Sequence, residues 1–448
     1  MFVSFFLLWL IICFFIIQFK SRRPKNFPPG PITLPLLGNL HNLSLDNPLQ
    51  DFERYGNIYS LYLGSKPMVM LCGVQAIKEA LVNKAVEFAG RPQDMYVNIT
   101  TESKGVILAD YGPRWKEHRR FALMTLRNFG LGKQSMEERI LAELQHTSAD
   151  LESSIGKFLS PQVMFHNASS NIICQVLFGM RFDYNDWTMK EIVRCFTENA
   201  KLANGPWAMV SLNNHNKLYL NLGSNQGENT FNDPDSTFSE DLLSMYSLDL
   251  HFAGTDTTSN TLLTGFLYLM TNPDIQERCQ AEIDRVLEGK DKACFEDRHN
   301  MPYVQAVIHE MQRIANTVPL SVFHNTTKDT EVMGYTIPKG TMVIPNLSSV
   351  LSEEGQWKFP RGFHPENFLN DQGEFVKPEA FMPFSAGPRM CLGEGLARME
   401  LFLITVTLLR KFKFIWPEDA GEPDYTPVYG VTLTPKPYFM KVQLREMH

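Results

Sequence analysis

The twelve residues FSAGPRMCLGEG, 384 to 395, place one cysteine, Cys391, among glycines, a proline and an arginine. A cysteine thiolate on iron pushes electron density onto the metal and favours O–O cleavage of dioxygen. Such a ligand needs backbone N–H groups aimed at its sulfur and close approach of the backbone to a flat macrocycle, which Gly387 and Gly393 permit. A helix that begins directly after Cys391 adds its positive dipole end. The segment therefore predicts a haem ligand at Cys391.

Two neighbours of Cys391 have roles in this interpretation. Arg389 can reach a haem propionate as a charge-assisted partner, and Phe384 would shield the sulfur from water. The alternative, a buried structural cysteine before a helix, needs neither residue. The chain has seven cysteines without a CxxC pair or a clustered Cys/His spacing, so we expect no zinc site and no disulfide framework.

The segment LDLHFAGTDTTSNTLL, 248 to 263, carries a glycine and threonines in the middle of a helical pattern. These residues weaken a helix, and a hydroxyl that bonds back to a carbonyl can open a groove in it. A groove lined by Asp256 and Thr257 would hold water and relay protons to reacting dioxygen. Alone, such a run is more often a capping or turn segment. Cys391 downstream favours the catalytic interpretation.

These motifs carry a family resemblance. Residues 384 to 393 match the haem-binding loop F-x-x-G-x-R-x-C-x-G of the cytochrome P-450 superfamily, and Ala253 to Thr257 match its A-G-x-D/E-T motif. The stretches RPKNFPPGP, WKEHRRFALMTLRNFGLGK, MPYVQAVIHEMQR and FMPFSAGPRMCLGE look like microsomal family 2, most of all its J-type fatty-acid epoxygenases. The resemblance implies the cytochrome P-450 fold, haem b (heme b, iron protoporphyrin IX) with a cysteine thiolate ligand, and monooxygenase activity.

The resemblance extends to three further haem contacts. Trp115 and Arg119 match the family's W-x-x-x-R, and an indole N–H and a guanidinium both suit propionate oxygens. His324 lies where relatives place another propionate-binding residue.

Glu310 and Arg313 match the family's E-x-x-R pair, whose role is a buried ionic network. The spacing alone is weak evidence, because most pairs of this kind are solvated salt bridges. Asn367 stands where the family often has an arginine, so another contact must complete the network.

The elements that must position these residues are mainly helical, with a small β portion contributed by both ends of the chain (α+β). We expect a hairpin at 58 to 72, short strands after 325 and a long helix after Cys391. Residues 1–19 carry no charge and predict a transmembrane anchor, followed by a basic, proline-rich hinge at 20–31 and a cytoplasmic catalytic domain at 32–448. The resemblance implies the endoplasmic reticulum membrane.

Charge indicates the partners. The net charge of −7 gives no reason to expect nucleic acid. Residues 114 to 133 hold six basic groups against one acidic group, so this stretch either docks an acidic electron donor or is an ordinary solvated helix face. The basic groups are Arg114, Lys116, Arg119, Arg120, Arg127 and Lys133. The resemblance implies NADPH–cytochrome P-450 reductase as the donor, with cytochrome b5 as an additional candidate; no GxGxxG follows a strand in the chain itself.

One segment departs from the family. From Trp115 to Thr257 the chain has 257 − 115 = 142 residues, several dozen fewer than relatives carry, and the shortage lies at about 204–243, where the family has two helices that roof the substrate cavity. The expected cavity lining is Phe88 to Ile107, Leu250 to Thr257, Thr317 to Val322, and Val428 to Val431.

Three hypotheses for function follow. The first is a monooxygenase acting on polyunsaturated fatty acids or apolar xenobiotics. The second is a membrane-anchored haem-binding or lipid-binding product without turnover, because its roof is shortened. The third is a haem-thiolate isomerase, which would have no use for the acid–alcohol pair Asp256 and Thr257.

Overall fold

The computed structural model describes residues 23–34, 38–42, 55–64, 66–93, 103–128, 134–188, 190–191, 194 and 238–446, together with residues 2, 5, 6 and 8–13. The chain divides into two compact units. The first comprises Met1–Gln93, Pro319–Val350 and Ser385–Met390, and the second comprises Asp94–Val318, Leu351–Phe384 and Cys391–His448. The chain therefore returns to the second unit for the last time at Cys391.

The first unit contains the main sheet. Its elements are β1 (Ile58–Leu63), β2 (Lys66–Cys72), α1 (Gly73–Lys78), a π-helical turn (Glu79–Asn83), β3 (His324–Asn325), β4 (Thr330–Val332), β5 (Tyr335–Ile337) and β6 (Met342–Asn346), followed by the short helix Leu347–Leu351. The hairpin predicted at 58 to 72 is present as the antiparallel pair β1–β2. The sheet order is β1-β2-β6-β3, and β6 runs parallel to β2. Strands β4 and β5 form a separate pair.

The second unit is mainly helical. Its helices are α2 (Pro113–Asn128), α3 (Gln134–Ser153), α4 (Pro161–Leu177), α5 (Glu240–Thr271), α6 (Pro273–Val286), α7 (Pro302–Ala315) and α8 (Glu394–Lys411). Its strands are β7 (Phe412–Ile415), β8 (Pro427–Val428), β9 (Thr434–Pro435) and β10 (Lys441–Leu444). Strand β7 pairs with β10, and β8 pairs with β9. The expected mainly helical fold with a small β portion is therefore confirmed.

Local chemistry explains where these helices start and stop. Helices α4, α6 and α7 each have proline at the first turn, where the missing N–H costs nothing. The side chain of Ser239 caps α5 by accepting the N–H of Leu242 at 3.3 Å. Helix α7 ends at Ala315, and the next residue, Asn316, caps it with a left-handed φ of 42°.

Helix α5 runs unbroken through the glycine and threonines that weaken it locally. Packing explains the continuity. A Cβ at Gly254 would lie 2.4 Å from Cδ1 of Ile173 on α4, so the glycine lets the two helices approach closely. Phe266 of α5 also packs against Phe165 of α4 and Phe414 of β7, with ring centroids 5.1 and 4.8 Å apart. Fully burying such side chains is worth about 1.5–3 kcal/mol each.

The predicted anchor lies mostly outside the described residues. Its described members, at 2, 5, 6 and 8–13, are helical. Across the described ranges, the structure contains no helix both long and apolar enough to cross a bilayer. The hinge is packed in its second half: Phe27 is buried, and the carbonyls of Pro28 and Pro29 accept hydrogen bonds from Ser60. Packing thus begins before the predicted domain start at residue 32.

Candidate active site

Cys391 lies just before α8, and its backbone N–H donates to the carbonyl of Phe384 at 3.0 Å. Burial is the largest influence on the thiol and raises its pKa, and the Glu394 carboxylate also acts to raise it, whereas the backbone N–H groups of Gly393 and Glu394 and the Arg119 guanidinium act to lower it. Although it lies deep among protein atoms, Cys391 keeps accessible surface, so one side of it is open. A metal cation at this side would favour the thiolate, since a coordinating thiol is deprotonated outright.

The Phe384 ring contacts a side chain from the first turns of α8, the helix that follows the cysteine. The guanidinium carbon of Arg398 lies 5.7 Å from the centroid of the Phe384 ring. Arg398 also pairs with Glu394, at 2.6 Å, within the first turns of α8. The aromatic ring therefore has a cationic partner. The hydrogen bond from the Cys391 N–H to the Phe384 carbonyl keeps the two residues next to each other.

The two loop glycines have different reasons to be glycine. Gly387 has a φ of 73°, and a Cβ there would lie 1.9 Å from the carbonyl oxygen of Leu81, in the π-helical turn. Protein backbone therefore requires glycine at this position, and the contact of Gly387 with a macrocycle stays a prediction. Gly393 has an ordinary φ of −91°, and no atom of the described residues lies within 4 Å of a Cβ built there. The space beside Gly393 is open, and its contact with a macrocycle stays a prediction.

Hydroxyls on α5 bond back to carbonyls of the preceding turn. Thr257 Oγ1 donates to the Ala253 carbonyl at 2.6 Å, Ser259 Oγ to that of Thr255 at 2.7 Å and Thr261 Oγ1 to that of Thr257 at 2.8 Å. Thr257 is half-buried. The expected back-bonding is therefore present, although the helix stays continuous around it.

Asp256 faces different groups from Thr257. Its buried carboxylate accepts the Thr432 hydroxyl at 2.6 Å and the Asn260 amide at 3.2 Å, both on Oδ2. Its Oδ1 lies 3.6 Å from Nε2 of His166 on α4. In the described part of the chain no hydrogen bond joins Asp256 to Thr257. Neighbouring residues on a helix point about 100° apart, so the two side chains reach different surroundings.

Trp115 and Arg119 lie together on α2, with the guanidinium carbon 5.5 Å from the indole ring. The indole N–H donates to the carbonyl of Val106 at 3.0 Å, and its predicted contact with a propionate stays a prediction. Arg119 is half-buried, and burial lowers its pKa, opposed by Cys391. Of the predicted pair, Arg119 is thus the one electrostatically coupled to the cysteine.

The loop before α2 is attached to α5 by a buried acid. Asp249 accepts the backbone N–H groups of Val106 and Ile107 at 2.7 and 3.1 Å. Burial raises the pKa of Asp249 to about 6, although these two hydrogen bonds act to lower it. The loop that carries the Trp115 acceptor is therefore positioned by α5.

The first unit assembles three basic side chains. His324 is buried; its Nδ1 lies 2.6 Å from the Phe88 carbonyl, and its buried Nε2 has no hydrogen-bond partner among the described residues. Burial lowers the pKa of His324 well below its ordinary value, and Arg91 and Arg389 add to this effect. A carboxylate at Nε2 would oppose these effects. The three residues therefore fit an anionic group such as a propionate.

Both arginines of this cluster are held by backbone carbonyls. Nη1 of Arg91 donates to the carbonyls of Val322 and Phe323 at 3.1 and 2.9 Å. Nε of Arg389 donates to the carbonyl of Ala89 at 2.8 Å. Sequence reasoning missed Arg91; the signal was an arginine between glycine and proline in FAGRP, a charge inside an apolar stretch.

Glu310 and Arg313 form a buried ion pair on α7. Arg313 donates to both carboxylate oxygens of Glu310 at 2.7 Å and to three backbone carbonyls. Those carbonyls belong to Leu351, Pro360 and Gly362. Asn367 completes the network, because its amide lies 3.3 Å from each oxygen of Glu310, and the His364 N–H donates to Glu310 at 2.8 Å. Asn367 thus contributes at the position of the expected arginine.

The basic stretch lies largely on the surface of α2. Four of its side chains are exposed and Arg119 is half-buried, while Lys133 lies outside the described residues. The exposed members are Arg114, Lys116, Arg120 and Arg127.

Of the expected cavity lining, residues 94–102 lie outside the described ranges.

Sequence comparison identifies the family. The sequence profile of the cytochrome P450 family matches residues 28–224 and 211–442, most of the chain. The chain belongs to the cytochrome P450 family. Membership implies a haem held by a cysteine thiolate, and Cys391 with its open side is the residue that suits it.

The curated relatives of this P450 belong to family 2, as the motifs indicated. The chain is 38% identical to cytochrome P450 2D10 of Mus musculus over 99% of the chain and 97% of the relative. It is 39% identical to cytochrome P450 2B4 of Oryctolagus cuniculus over 94% of each chain, and 36% identical to cytochrome P450 2U1 of Homo sapiens over 95% and 91%. The first alignment spans 491 positions, so 491 − 448 = 43 or more of them have no residue here.

Proposed function

We propose that this protein is a monooxygenase that inserts one atom of dioxygen into apolar small molecules, namely polyunsaturated fatty acids of the arachidonate type or xenobiotics. One observation carries the proposal: two backbone N–H groups and the start of α8 face the Cys391 sulfur, while the residue stays accessible on one side. Haem b bound there would supply the redox chemistry of dioxygen cleavage.

The other predicted site residues would divide the remaining tasks. Arg119 would bind a haem propionate through a charge-assisted hydrogen bond, and the basic cluster of Arg91, His324 and Arg389 also suits a propionate. The half-buried Thr257 hydroxyl would hold water, and Asp256 would supply protons. Glu310 and Arg313 would maintain the fold around the cysteine rather than take part in chemistry.

We propose that electrons come from NADPH through cytochrome P-450 reductase, with cytochrome b5 as an additional donor. The exposed basic face of α2 supports this proposal, because an acidic partner would find complementary charge there. Residues 1–19 would anchor the protein in the endoplasmic reticulum membrane with the catalytic part in the cytoplasm.

A second candidate is a haem-binding or lipid-binding product with little turnover. The family profile matches in two overlapping parts that meet at 211–224, inside the stretch 204–243 that the sequence indicates is short. The 43 or more unmatched positions in the alignment agree with a shortened substrate roof. A haem site without its roof would bind haem and release substrate before oxidation.

Two measurements test these proposals. Reduced protein with carbon monoxide should show the red-shifted Soret band of a thiolate ligand; Cys391→Ser should abolish the band, and Cys294→Ser, which changes another partly exposed thiol, should keep it. Folded wild-type protein without the band contradicts the haem site. NADPH consumption with reductase and arachidonate, coupled to oxygenated product by mass spectrometry, supports the monooxygenase. The band without product favours the second candidate.

A further inference from the structure

The carboxylate of Asp256 lies beside a histidine that the proposed function does not yet use. Nε2 of His166 is 3.6 Å from Asp256 Oδ1, and the two side chains are 13% and 11% exposed. The other ring nitrogen, Nδ1, lies 2.8 Å from the carbonyl of Gln162. A carbonyl only accepts hydrogen bonds, so Nδ1 carries a hydrogen. Nε2 is therefore the nitrogen that gains or loses a proton, and it faces the acid.

The hydrogen bonds of Asp256 occupy one carboxylate oxygen, Oδ2, and the other oxygen, Oδ1, lies next to the imidazole. The Thr432 hydroxyl and the Asn260 amide both donate to Oδ2. Oδ1 accepts no hydrogen bond from the described residues and lies next to His166. A movement of about 0.5 Å would bring Nε2 and Oδ1 within hydrogen-bond distance.

Other ionisable groups that face α4 contact its opposite half or the chain after it. His251 reaches Ser170, and burial lowers the pKa of His251 to about 3, so that ring stays neutral. The remaining groups of this kind are Arg139 and Glu143 on α3, with Arg181 and Tyr184 beyond α4. Within the described ranges, Asp256 is the charged group that contacts His166.

We propose that His166 is the residue that reprotonates Asp256 during turnover, an inference that rests on the proposed function. The cationic ring passes the Nε2 proton to Oδ1 of Asp256, and the neutral ring then regains a proton at Nε2 from a hydronium ion of the solvent. One proton enters for each proton delivered, and no other bond changes. A neutral imidazole with its hydrogen on Nδ1 has no proton at Nε2 to pass on, so the supply decreases at high pH.

The test compares two neighbours of the same carboxylate. His166→Gln removes the ionisable partner of Oδ1, and Thr432→Val removes a neutral donor to Oδ2. Both variants are first required to show the thiolate carbon monoxide band. Product formed per NADPH, and hydrogen peroxide released, are then measured between pH 6 and 8.5 with reductase and arachidonate.

We expect wild-type coupling to decline as pH rises. His166→Gln should be about tenfold less coupled at pH 6.5, at the low end of general acid–base effects, and nearly independent of pH. Thr432→Val should lower coupling yet keep the wild-type pH dependence. A His166→Gln profile parallel to wild type overturns the relay and leaves the monooxygenase standing. Wild type with the band but without product overturns the proposed function.

An infrared titration tests the pair without turnover. The pairing predicts a carboxylate band in the difference spectrum between pH 6 and 8 that Asp256→Asn removes. That band should also be absent from His166→Gln, because the neighbour whose charge the carboxylate senses is gone. A band that persists in His166→Gln overturns the pairing, whatever the turnover shows. If the glutamine variant fails to fold, His166→Asn takes its place in both experiments.

Discussion

The buried ion pair on α7 predicts a large and specific loss of stability. In Arg313→Ala, the Glu310 carboxylate loses two hydrogen bonds and stays buried, since the two side chains are 2% and 0% exposed. Three backbone carbonyls lose a donor as well. Removing one partner of a buried pair costs about 3–5 kcal/mol, so we expect the free energy of unfolding to fall by that amount.

The chain contains a control of the same spacing. Arg194 and Glu191 form a pair three residues apart at 2.5 Å, but their side chains are 50% and 25% exposed. Arg194→Ala should cost about 0–1 kcal/mol, because exposed pairs contribute little. Arg313→Lys should lie between these values, since an ammonium cannot reproduce the bidentate contact.

The assay is urea unfolding followed by tryptophan fluorescence, with the Soret band recorded in parallel to report haem loss. The double variant Glu310→Leu, Arg313→Met should be less destabilised than Arg313→Ala, because it leaves no unpaired buried charge. If Arg313→Ala and Arg194→Ala differ by less than about 1 kcal/mol, the argument from burial is refuted.

Three more variants have defined outcomes. Burial raises the pKa of Glu400 to about 8, so the native state keeps a proton that the unfolded chain releases. The free energy of unfolding should therefore fall as pH rises from about 4.5 to 8. Glu400→Gln should remove this pH dependence from the urea midpoints. Gly387→Ala should lose more stability than Gly373→Ala. Both glycines have positive φ, but only a Cβ at position 387 would collide with a backbone carbonyl. Equal urea midpoints for the two variants contradict this steric explanation. Thr257→Val should reduce product per NADPH, whereas Thr271→Val, which loses a similar back-bond, should not; equal losses disprove a specific role.

Local patterns were sufficient for much of the fold. The hairpin β1–β2 and helix α8 lie where period and turn residues indicate them, because each depends on contiguous sequence. The parallel pairing of β2 with β6 joins residues more than 250 positions apart, and no local pattern predicts such a register. The unbroken course of α5 likewise depends on Ile173 packing against Gly254, which outweighs the low helix propensity of the segment.

The candidate site likewise contains residues that local motifs predicted and residues that only the folded structure brings together. The motifs around Cys391, Thr257 and Glu310 were readable because each of them spans few residues, although their roles stay predictions. Arg91 was missed, because its importance depends on a cluster with His324 and Arg389 that folding brings together.

The sequence by itself determined the family and predicted the ligand cysteine and the acid–alcohol pair, since these depend on residue types at short, constant spacings. Only the tertiary structure decided what each side chain contacts. Asp256 meets Thr432, which is 176 residues away, and the His166 imidazole on another helix. The physical reason is that hydrogen bonds act over about 3 Å in space, whatever the separation along the chain.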